Sequence, residues 1–283
     1  QSPFRIYSTS LGKEVSLEEV VRTGDGYNAI FFGEEHDDPT AHLLEDTLVQ
    51  LMYAAWPGKF AVGMEMFERD VQNVMDEYLL GFIKEKHFTE DARPWSNYED
   101  YRPVVEFARE NGIHVICSNA ARRYTNLAVR KGKDELLKLP EDSKLNVAPL
   151  PYDTARGPYY NKLMMVMTHG TTNPADTSQP IMSAPPGIVN GQSLWDATMA
   201  WSMAEYLRKH KGHKVLHMNG RFHSDEHYGI VIQLKKYFRK SKVMVISCYP
   251  ADDFAQPDWN QHKANGDFVI LTDPSFRLEE EED

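Results

Sequence analysis

The sequence contains little cysteine and no long hydrophobic run, and each absence limits the class of protein. Only two cysteines occur among 283 residues, Cys117 and Cys248, and both lie in apolar, strand-like stretches. We therefore expect two buried free thiols rather than a framework of disulfide bonds. No run of roughly 18 apolar residues is present, so the sequence predicts no membrane-spanning helix.

Acidic residues outnumber basic residues. Lys and Arg number 31 against 42 Asp and Glu, which gives a formal net charge of -11 at neutral pH. Because nucleic acids attract basic surfaces, this balance argues against a nucleic-acid partner. Part of the acidity lies in Glu279 to Asp283, which we expect to be a solvated tail. The first residue is Gln1 rather than Met, and we expect a processed chain from which a signal segment has been removed.

Six short apolar runs, separated by turn residues and helical patterns, predict the strands of an α/β fold. Helical spacing follows the first run after Asp38 and Pro39, and it follows the second run from Val71. The order strand, helix, strand, helix, strand favours a mostly parallel sheet flanked by helices. With their polar ends, the runs lie at residues 27–36, 59–67, 113–119, 213–219, 242–248 and 267–272.

This regular alternation stops between residues 120 and 208. The stretch contains a basic helical segment, a Pro-rich segment, an aromatic and Met-rich segment, and a long run of Gly, Pro, Thr and Ser. Irregular segments of this length in compact domains are usually functional or disordered. We expect residues 1–119 and 209–283 to form the α/β domain. Residues 120–208 are then a smaller helical insert, a lid, over the carboxyl ends of the strands.

Two Gly-x-x-His tetrads each follow an apolar strand, at Gly33 to His36 and at Gly220 to His223. Glu65 lies near the end of a third strand. Ligands of open parallel sheets bind at the carboxyl ends of the strands, so these side chains are candidates for one shared crevice. Two imidazoles and a carboxylate can bind a metal ion or move protons. The alternative is that they only hydrogen-bond to loop backbone.

These residues take two sets of candidate roles. The candidate catalytic residues are His36, Glu65 and His223. The candidate ligands of a divalent metal ion are the same three with Glu35 added. A separate pattern, His223 to His227, fits His-x-x-Glu-His, which on a helix would place two imidazoles on one face. We treat this zinc-peptidase reading as the weaker one, because a five-residue match easily arises by chance.

A longer ordered set of motifs resembles the ChaN-like haem-binding uptake family. That family belongs to the superfamily of the Tiki proteases, TraB and the erythromycin esterases. The matching residues span about residue 27 to about residue 250, nearly the whole chain. They are Gly33 to Asp37 with His42, Gly63 to Arg69 with Gln72, Trp95, Tyr98, Tyr101 to Pro103, Asn119, Gln192, Trp195, Asp196, Thr198 to Ala200, Asn219, Gly220 and His223.

The resemblance implies a pocket between a parallel-sheet domain and a smaller helical domain. ChaN-like proteins hold haem in that pocket and dimerise around it, so we expect haem as ligand and a homodimer. Export to the periplasm or outer membrane, and an outer-membrane haem receptor as partner, are implied as well. No cysteine for lipidation remains near Gln1, so we expect membrane association only through an anchor lost from this chain.

The hydrolytic relatives imply a second function. In them, the positions matching His36, Glu65 and His223 belong to the active site. A metal- or His-dependent esterase or peptidase is therefore the alternative to a haem-binding protein without turnover.

The expected insert also offers the residue types that haem needs, namely an apolar wall, an axial ligand and cations for the propionates. A phenolate from Tyr159 or Tyr160 is our first prediction for the axial ligand, and His169 is the second. No Cys-x-x-Cys-His motif occurs, which excludes the usual covalent attachment of haem. A buried helix has a similar composition, so a purely structural role stays open. The candidate haem contacts are Arg122, Arg123, Tyr159, Tyr160, Met164 and His169.

Overall fold

The structure, a computed structural model, describes residues 2–169 and 187–276, with backbone alone at residues 168 and 169. Within these residues the chain forms eight strands and eleven α-helices. The strands are β1 (Phe4–Ser8), β2 (Lys13–Glu14), β3 (Ala29–Glu34), β4 (Phe60–Glu68), β5 (His114–Asn119), β6 (Lys214–Gly220), β7 (Val243–Pro250) and β8 (Phe268–Thr272).

The helices are distributed along the whole described chain. They are α1 (Leu17–Gly24), α2 (Pro39–Ala55), α3 (Gln72–Leu79), α4 (Glu85–Ala92), α5 (Tyr98–Asn111), α6 (Arg122–Lys131), α7 (Glu141–Lys144), α8 (Gly157–His169), α9 (Ile188–Lys209), α10 (Gly229–Tyr237) and α11 (Trp259–His262).

All eight strands belong to one sheet in the order β2-β1-β8-β7-β3-β6-β4-β5. The six strands expected from the apolar runs are β3 to β8, and their neighbouring pairs are parallel. The predicted α/β class is therefore confirmed. Sequence reasoning missed β1 and β2 at one edge of the sheet, where β1 pairs with β8 and β2 pairs with β1, both in antiparallel orientation.

The position of β6 decides where the site forms. β6 enters the sheet between β3 and β4, although more than 140 residues of chain separate it from β4. Val215 pairs with Ala29 on one side and with Ala61 on the other, so the three strands run in register. Their carboxyl ends consequently meet at the same edge of the sheet, where open parallel sheets bind ligands.

Alternate residues of the central strand β3 enter two different cores, as the two-residue period of a strand requires. Ile30 and Phe32 pack on the side covered by α1, α2 and α5. Ala29 and Phe31 pack on the other side, against α9 and α10. Both faces of β3 are thus buried, which explains why its sequence reads as a continuous apolar run.

The long helix α9 connects the irregular middle of the chain to the sheet. Near its amino end, Leu194 and Ala197 share a third core with α6. Toward its carboxyl end, Met203 and Leu207 pack on the sheet. The proposed domain boundary near residue 208 therefore falls at the end of a helix that contacts both parts, and the division into two domains stays a prediction.

The expectation of two buried free thiols is confirmed in the described part of the chain. Cys117 and Cys248 are both buried and free. None of the helices in residues 2–169 and 187–276 is long and apolar enough to cross a membrane.

Candidate functional site

The structure brings His36, Glu65 and His223 together at the carboxyl ends of β3, β4 and β6. His36 follows β3 directly, Glu65 lies within β4, and His223 ends a short 3₁₀ turn after β6. Both histidines line the same two cavities, and Glu65 lines one of them. Residues that are 187 positions apart in sequence (36 and 223) therefore share one crevice.

The first cavity, which we call the α8 cavity, lies between α8 and the strand-end loops and measures about 420 Å³. This volume falls within the roughly 300–1,000 Å³ typical of small-molecule sites. It is lined by Glu34, Glu35, His36, Lys162, Val166, Met167, Gln192, Gly220, Arg221, Phe222, His223 and Asp225.

The second cavity, which we call the Trp95 cavity, adjoins the same two histidines and measures about 400 Å³. Its wall combines two indoles with polar strand-end groups. It is lined by His36, Glu65, Glu68, Trp95, Asn119, Ala120, Arg122, Trp195 and His223.

Two carboxylates hold the buried imidazole of His223. Its Nδ1 lies 2.6 Å from Asp196 Oδ1, and its Nε2 lies 3.4 Å from Glu65 Oε1. Burial disfavours the charged imidazolium, but the charges of Glu65 and Asp196 outweigh burial and raise the pKa of His223 to about 10. Both ring nitrogens therefore carry protons at neutral pH, and each faces a carboxylate.

Glu65 is stabilised in its charged form. Burial alone would raise the pKa of its carboxyl group. The imidazolium of His223 and the backbone N–H of Gly220, which donates to Oε2 at 2.9 Å, counteract burial and lower this pKa to about 2. Glu65 and His223 thus form a buried ion pair at neutral pH.

The imidazole of His36 has a different environment. Its Nδ1 donates to Glu34 Oε1 at 2.8 Å, and its ring packs edge-on against Trp95. Among the described residues, no hydrogen bond is found at its Nε2. Burial lowers the pKa of His36, but the hydrogen bond to Glu34 and the nearby charge of Glu65 outweigh it, so the net shift is upward. His36 is therefore an oriented and partly exposed imidazole that faces both cavities.

Glycine is required where the two tetrads approach each other. A Cβ at Gly220 would lie 2.7 Å from His36 Nε2, and one at Gly33 would lie 2.8 Å from the backbone of Arg221. Both distances are shorter than van der Waals contact, so the tetrads can lie side by side only because these residues lack side chains.

The residues of the Met and Tyr rich segment occupy distinct positions on α8. Tyr159 is buried, and its hydroxyl donates to Asp196 Oδ2 at 2.7 Å. Burial and the charge of Asp196 hold the pKa of Tyr159 well above its usual range. Tyr160 is exposed and Met164 is half-buried. The side chain of His169 lies outside the described part of the chain.

The charged candidates are also divided between the crevice and other contacts. Arg122 lines the Trp95 cavity and is largely exposed. Arg123 instead pairs with Asp70 at 2.6 Å and stacks on Tyr124. Glu35 pairs with Arg221 at 2.6 Å, so its carboxylate is engaged by a guanidinium within the crevice.

Sequence reasoning assigned no role to Asp196 and Gln192, which the structure places in contact with His223. The side-chain amide of Gln192 lies 3.1 Å from His223 Nδ1 and 3.3 Å from the hydroxyl of Tyr159. Both residues belong to the ordered motif set. Their positions in α9, far from any strand end, gave no indication of which partner they would meet.

The segment from His223 to His227 does not form the helix that the His-x-x-Glu-His pattern requires. Two short 3₁₀ turns precede α10, which begins at Gly229, and both Glu226 and His227 have φ of 60°. His227 pairs with Asp267 instead of joining His223. The helical geometry required by the zinc-peptidase motif is therefore absent from this described segment.

The fold and this crevice define a class of protein, an α/β protein with two histidines and a glutamate at the carboxyl ends of parallel strands. A family model described as haem-binding uptake, Tiki superfamily, ChaN, matches residues 20–234. The chain belongs to this family.

The first of two similar solved structures shares the fold. ChaN of Campylobacter jejuni, described as binding haem cofacially, is 18% identical, with 95% of this chain and 96% of that chain covered and a TM-score of 0.67. A mutant of the erythromycin esterase EreC in its open conformation is 12% identical, with 96% and 83% covered and a TM-score of 0.49. No curated protein sequence matches the chain significantly.

Proposed function

We propose that the protein binds haem against α8 and the strand ends, and that it serves haem or iron uptake. Family membership supports the general function. The observation that carries the proposal is the outer surface of α8, where Tyr160, Met165 and Val166 are 40%, 61% and 49% exposed. Val166 and Met167 also line the α8 cavity, so this apolar surface continues into it. Haem needs such a wall.

Tyr160 is the axial ligand in this proposal. It lies at i, i+4 and i+7 spacing with Met164 and Met167, which places the three on one stripe of α8. Tyr159 is unsuitable because its buried hydroxyl donates to Asp196. Among the described residues, no hydrogen-bond partner is found for the Tyr160 hydroxyl. A phenolate donor suits ferric haem.

The crevice supplies two further groups for the ligand. The His36 imidazole faces the α8 cavity with Nε2, while Glu34 fixes the ring through Nδ1. The guanidinium of Arg122 lines the adjoining cavity and can pair with a propionate. In this proposal His36 contacts the haem or its propionates and Tyr160 holds the iron.

A titration with haemin, followed in the Soret region, tests the proposal. We expect saturable binding by the wild type, and loss of the phenolate charge-transfer band with at least about tenfold weaker binding in Tyr160→Phe. Tyr27→Phe is the matched control, because Tyr27 precedes β3 at the opposite edge of the sheet. Absence of saturable binding would overturn the proposed function. Equal binding by both variants would overturn the assignment of Tyr160.

Assembly and location follow from the same proposal. We infer that two copies associate through the exposed surface of α8, since an apolar surface of this kind is normally covered. Native mass measurement with and without haemin should show a haem-dependent dimer, and a monomer in both conditions would contradict it. Haem uptake further favours a periplasmic or outer-membrane site and an outer-membrane haem receptor as partner.

A hydrolase remains the second candidate, because His36, Glu65 and His223 lie around one crevice. Its weakness is His223, whose nitrogens both donate to carboxylates and so hold no free base. An ester and peptide panel with His36→Ala as control tests it. Turnover lost in that variant would favour the hydrolase over the haem-binding protein.

A further inference from the structure

A second group of titratable side chains lies behind His36, in the body of the α/β domain. Glu34 ends β3, and His42 and Glu45 lie one turn apart near the start of α2. Their exposures are 1%, 8% and 1%. His42 Nδ1 lies 3.2 Å from Glu34 Oε2 and 3.2 Å from Glu45 Oε2. One ligand atom from each of the three residues falls within 4.8 Å of the others.

Neighbouring groups orient the donors of this cluster toward its centre. His42 Nε2 lies 3.2 Å from the carbonyl oxygen of His36, which can only accept, so Nε2 carries the proton. The Nδ1 lone pair of a neutral His42 then points between the two carboxylates. Glu34 Oε1 accepts from the Tyr101 hydroxyl at 2.7 Å and from His36, which leaves Oε2 for the centre. Such outer hydrogen bonds typically accompany metal-ligating histidines and carboxylates.

Two buried oxygens in the cluster lack hydrogen-bond partners within the described residues. They are Glu34 Oε2 and Glu45 Oε1. An unsatisfied carboxylate oxygen in a protein interior is costly, and two ionised carboxylates beside one imidazole would leave net negative charge even with His42 protonated. The half-exposed Asp100, 3.9 Å from His42 Nε2, adds to that charge. A divalent cation at this centre would satisfy Glu34 Oε2 and neutralise both carboxylates.

We propose that Glu34, His42 and Glu45 bind one divalent transition-metal ion at a site that adjoins the crevice of His36 and His223 and shares Glu34 with it. Zn²⁺ bonds of about 2.0–2.2 Å in a tetrahedron separate neighbouring ligand atoms by roughly 3.3 Å, which matches the two 3.2 Å separations around His42 Nδ1. A water molecule would complete the coordination. One imidazole with two carboxylates suits zinc and similar borderline ions.

The site shares Glu34 with the crevice. Its Oε2 faces the proposed ion, whereas its Oε1 accepts from His36 Nδ1. A bound ion would thus fix the carboxylate that orients His36. The His223 and Glu65 pair lies on the other side of His36 and takes no part.

Metal titrations of the chelator-stripped full chain, without haem, test the proposal. Wild type should take up one equivalent of Zn²⁺ and give visible absorption bands with one equivalent of Co²⁺. Glu45→Gln and His42→Gln should weaken Zn²⁺ binding by about tenfold or more. Asp46→Asn, a carboxylate on the next position of α2 that only accepts from Gln50, is the control and should bind as wild type does.

Circular dichroism would establish that each variant is folded, and the wild-type titration needs no variant. No stoichiometric uptake by the wild type would overturn the proposal, because the cluster would then hold a proton rather than a metal ion. Equal affinity of Glu45→Gln and Asp46→Asn would overturn it as well. So would loss of zinc in His223→Gln with retention in Glu45→Gln, since that result would place the ion in the crevice.

Discussion

At the scale of single residues, the two imidazoles of the crevice differ in their hydrogen-bond partners. Both nitrogens of His223 face buried carboxylates, whereas His36 donates from Nδ1 to Glu34 and, among the described residues, has no hydrogen bond at Nε2. The difference arises from the neighbours of each ring, because His36 has one carboxylate partner and His223 has two. Sequence alone presents both as the last residue of a Gly-x-x-His tetrad and cannot separate them.

The protonation of His223 gives a pH-dependent stability. A folded pKa of about 10, above the ordinary value of 6.5, stabilises the fold fully below pH 6.5 and loses that effect as the pH rises toward 10. We therefore expect the difference in unfolding free energy between wild type and His223→Gln to shrink between pH 7 and pH 10. Urea denaturation of both proteins across this range measures it. A constant difference would contradict the buried ion pair.

Substitution of Gly220 tests the packing between the tetrads. In Gly220→Ala the new Cβ would lie 2.7 Å from His36 Nε2, so the His36 ring must shift, which disturbs its hydrogen bond to Glu34. We expect the pKa of His36 to fall from its raised value, while the variant remains folded because only a side chain is displaced. NMR titration of the imidazoles measures this.

Gly26→Ala is the control for that substitution, since a Cβ there meets only an ordinary contact of 3.7 Å. Its His36 should titrate as in the wild type. An unchanged His36 pKa in Gly220→Ala would mean that the ring is not held between Glu34 and Gly220.

At the scale of elements, α2 depends on Asp38 for its start. The side chain accepts from the backbone N–H groups of Thr40 and Ala41, and the hydroxyl of Thr272 donates to it from β8. We expect Asp38→Ala to cost about 2–3 kcal/mol, combining a lost cap with an unpaired buried hydroxyl. Chemical denaturation measures the cost.

Asp38→Asn is the matched control, because the amide retains an oxygen for the helix N–H groups. It should cost clearly less than Asp38→Ala. If both variants unfold at the wild-type denaturant concentration, Asp38 does not stabilise the contact between α2 and Thr272 of β8.

At the scale of the whole molecule, the sequence predicted the six parallel strands because each is a buried apolar run with a polar end. It did not predict β1 and β2, which are short and partly exposed; β1 pairs with β8, and β2 pairs with β1. The two 3₁₀ turns between β6 and α10 were also missed, because left-handed backbone at Glu226 and His227 leaves no trace in hydrophobic spacing.

The site was predictable in part, because several of its residues lie at the polar ends of apolar strands. His36 and His223 follow strands, Glu65 lies near the end of a strand, and strand ends converge in a parallel sheet. Asp196 and Gln192 come from a helix whose rotation about its axis is set by packing. The Glu34, His42 and Glu45 cluster needs both the end of β3 and the tilt of α2, so only the three-dimensional arrangement reveals it.

We propose that haem lies against α8 at the carboxyl edge of the sheet. Iron anomalous scattering from crystals of the haemin complex tests it most directly. We expect an iron peak within coordination distance of the Tyr160 hydroxyl, with the porphyrin over Val166 and Met167. An iron peak on any other surface of the protein, or none at full haemin loading, would contradict it.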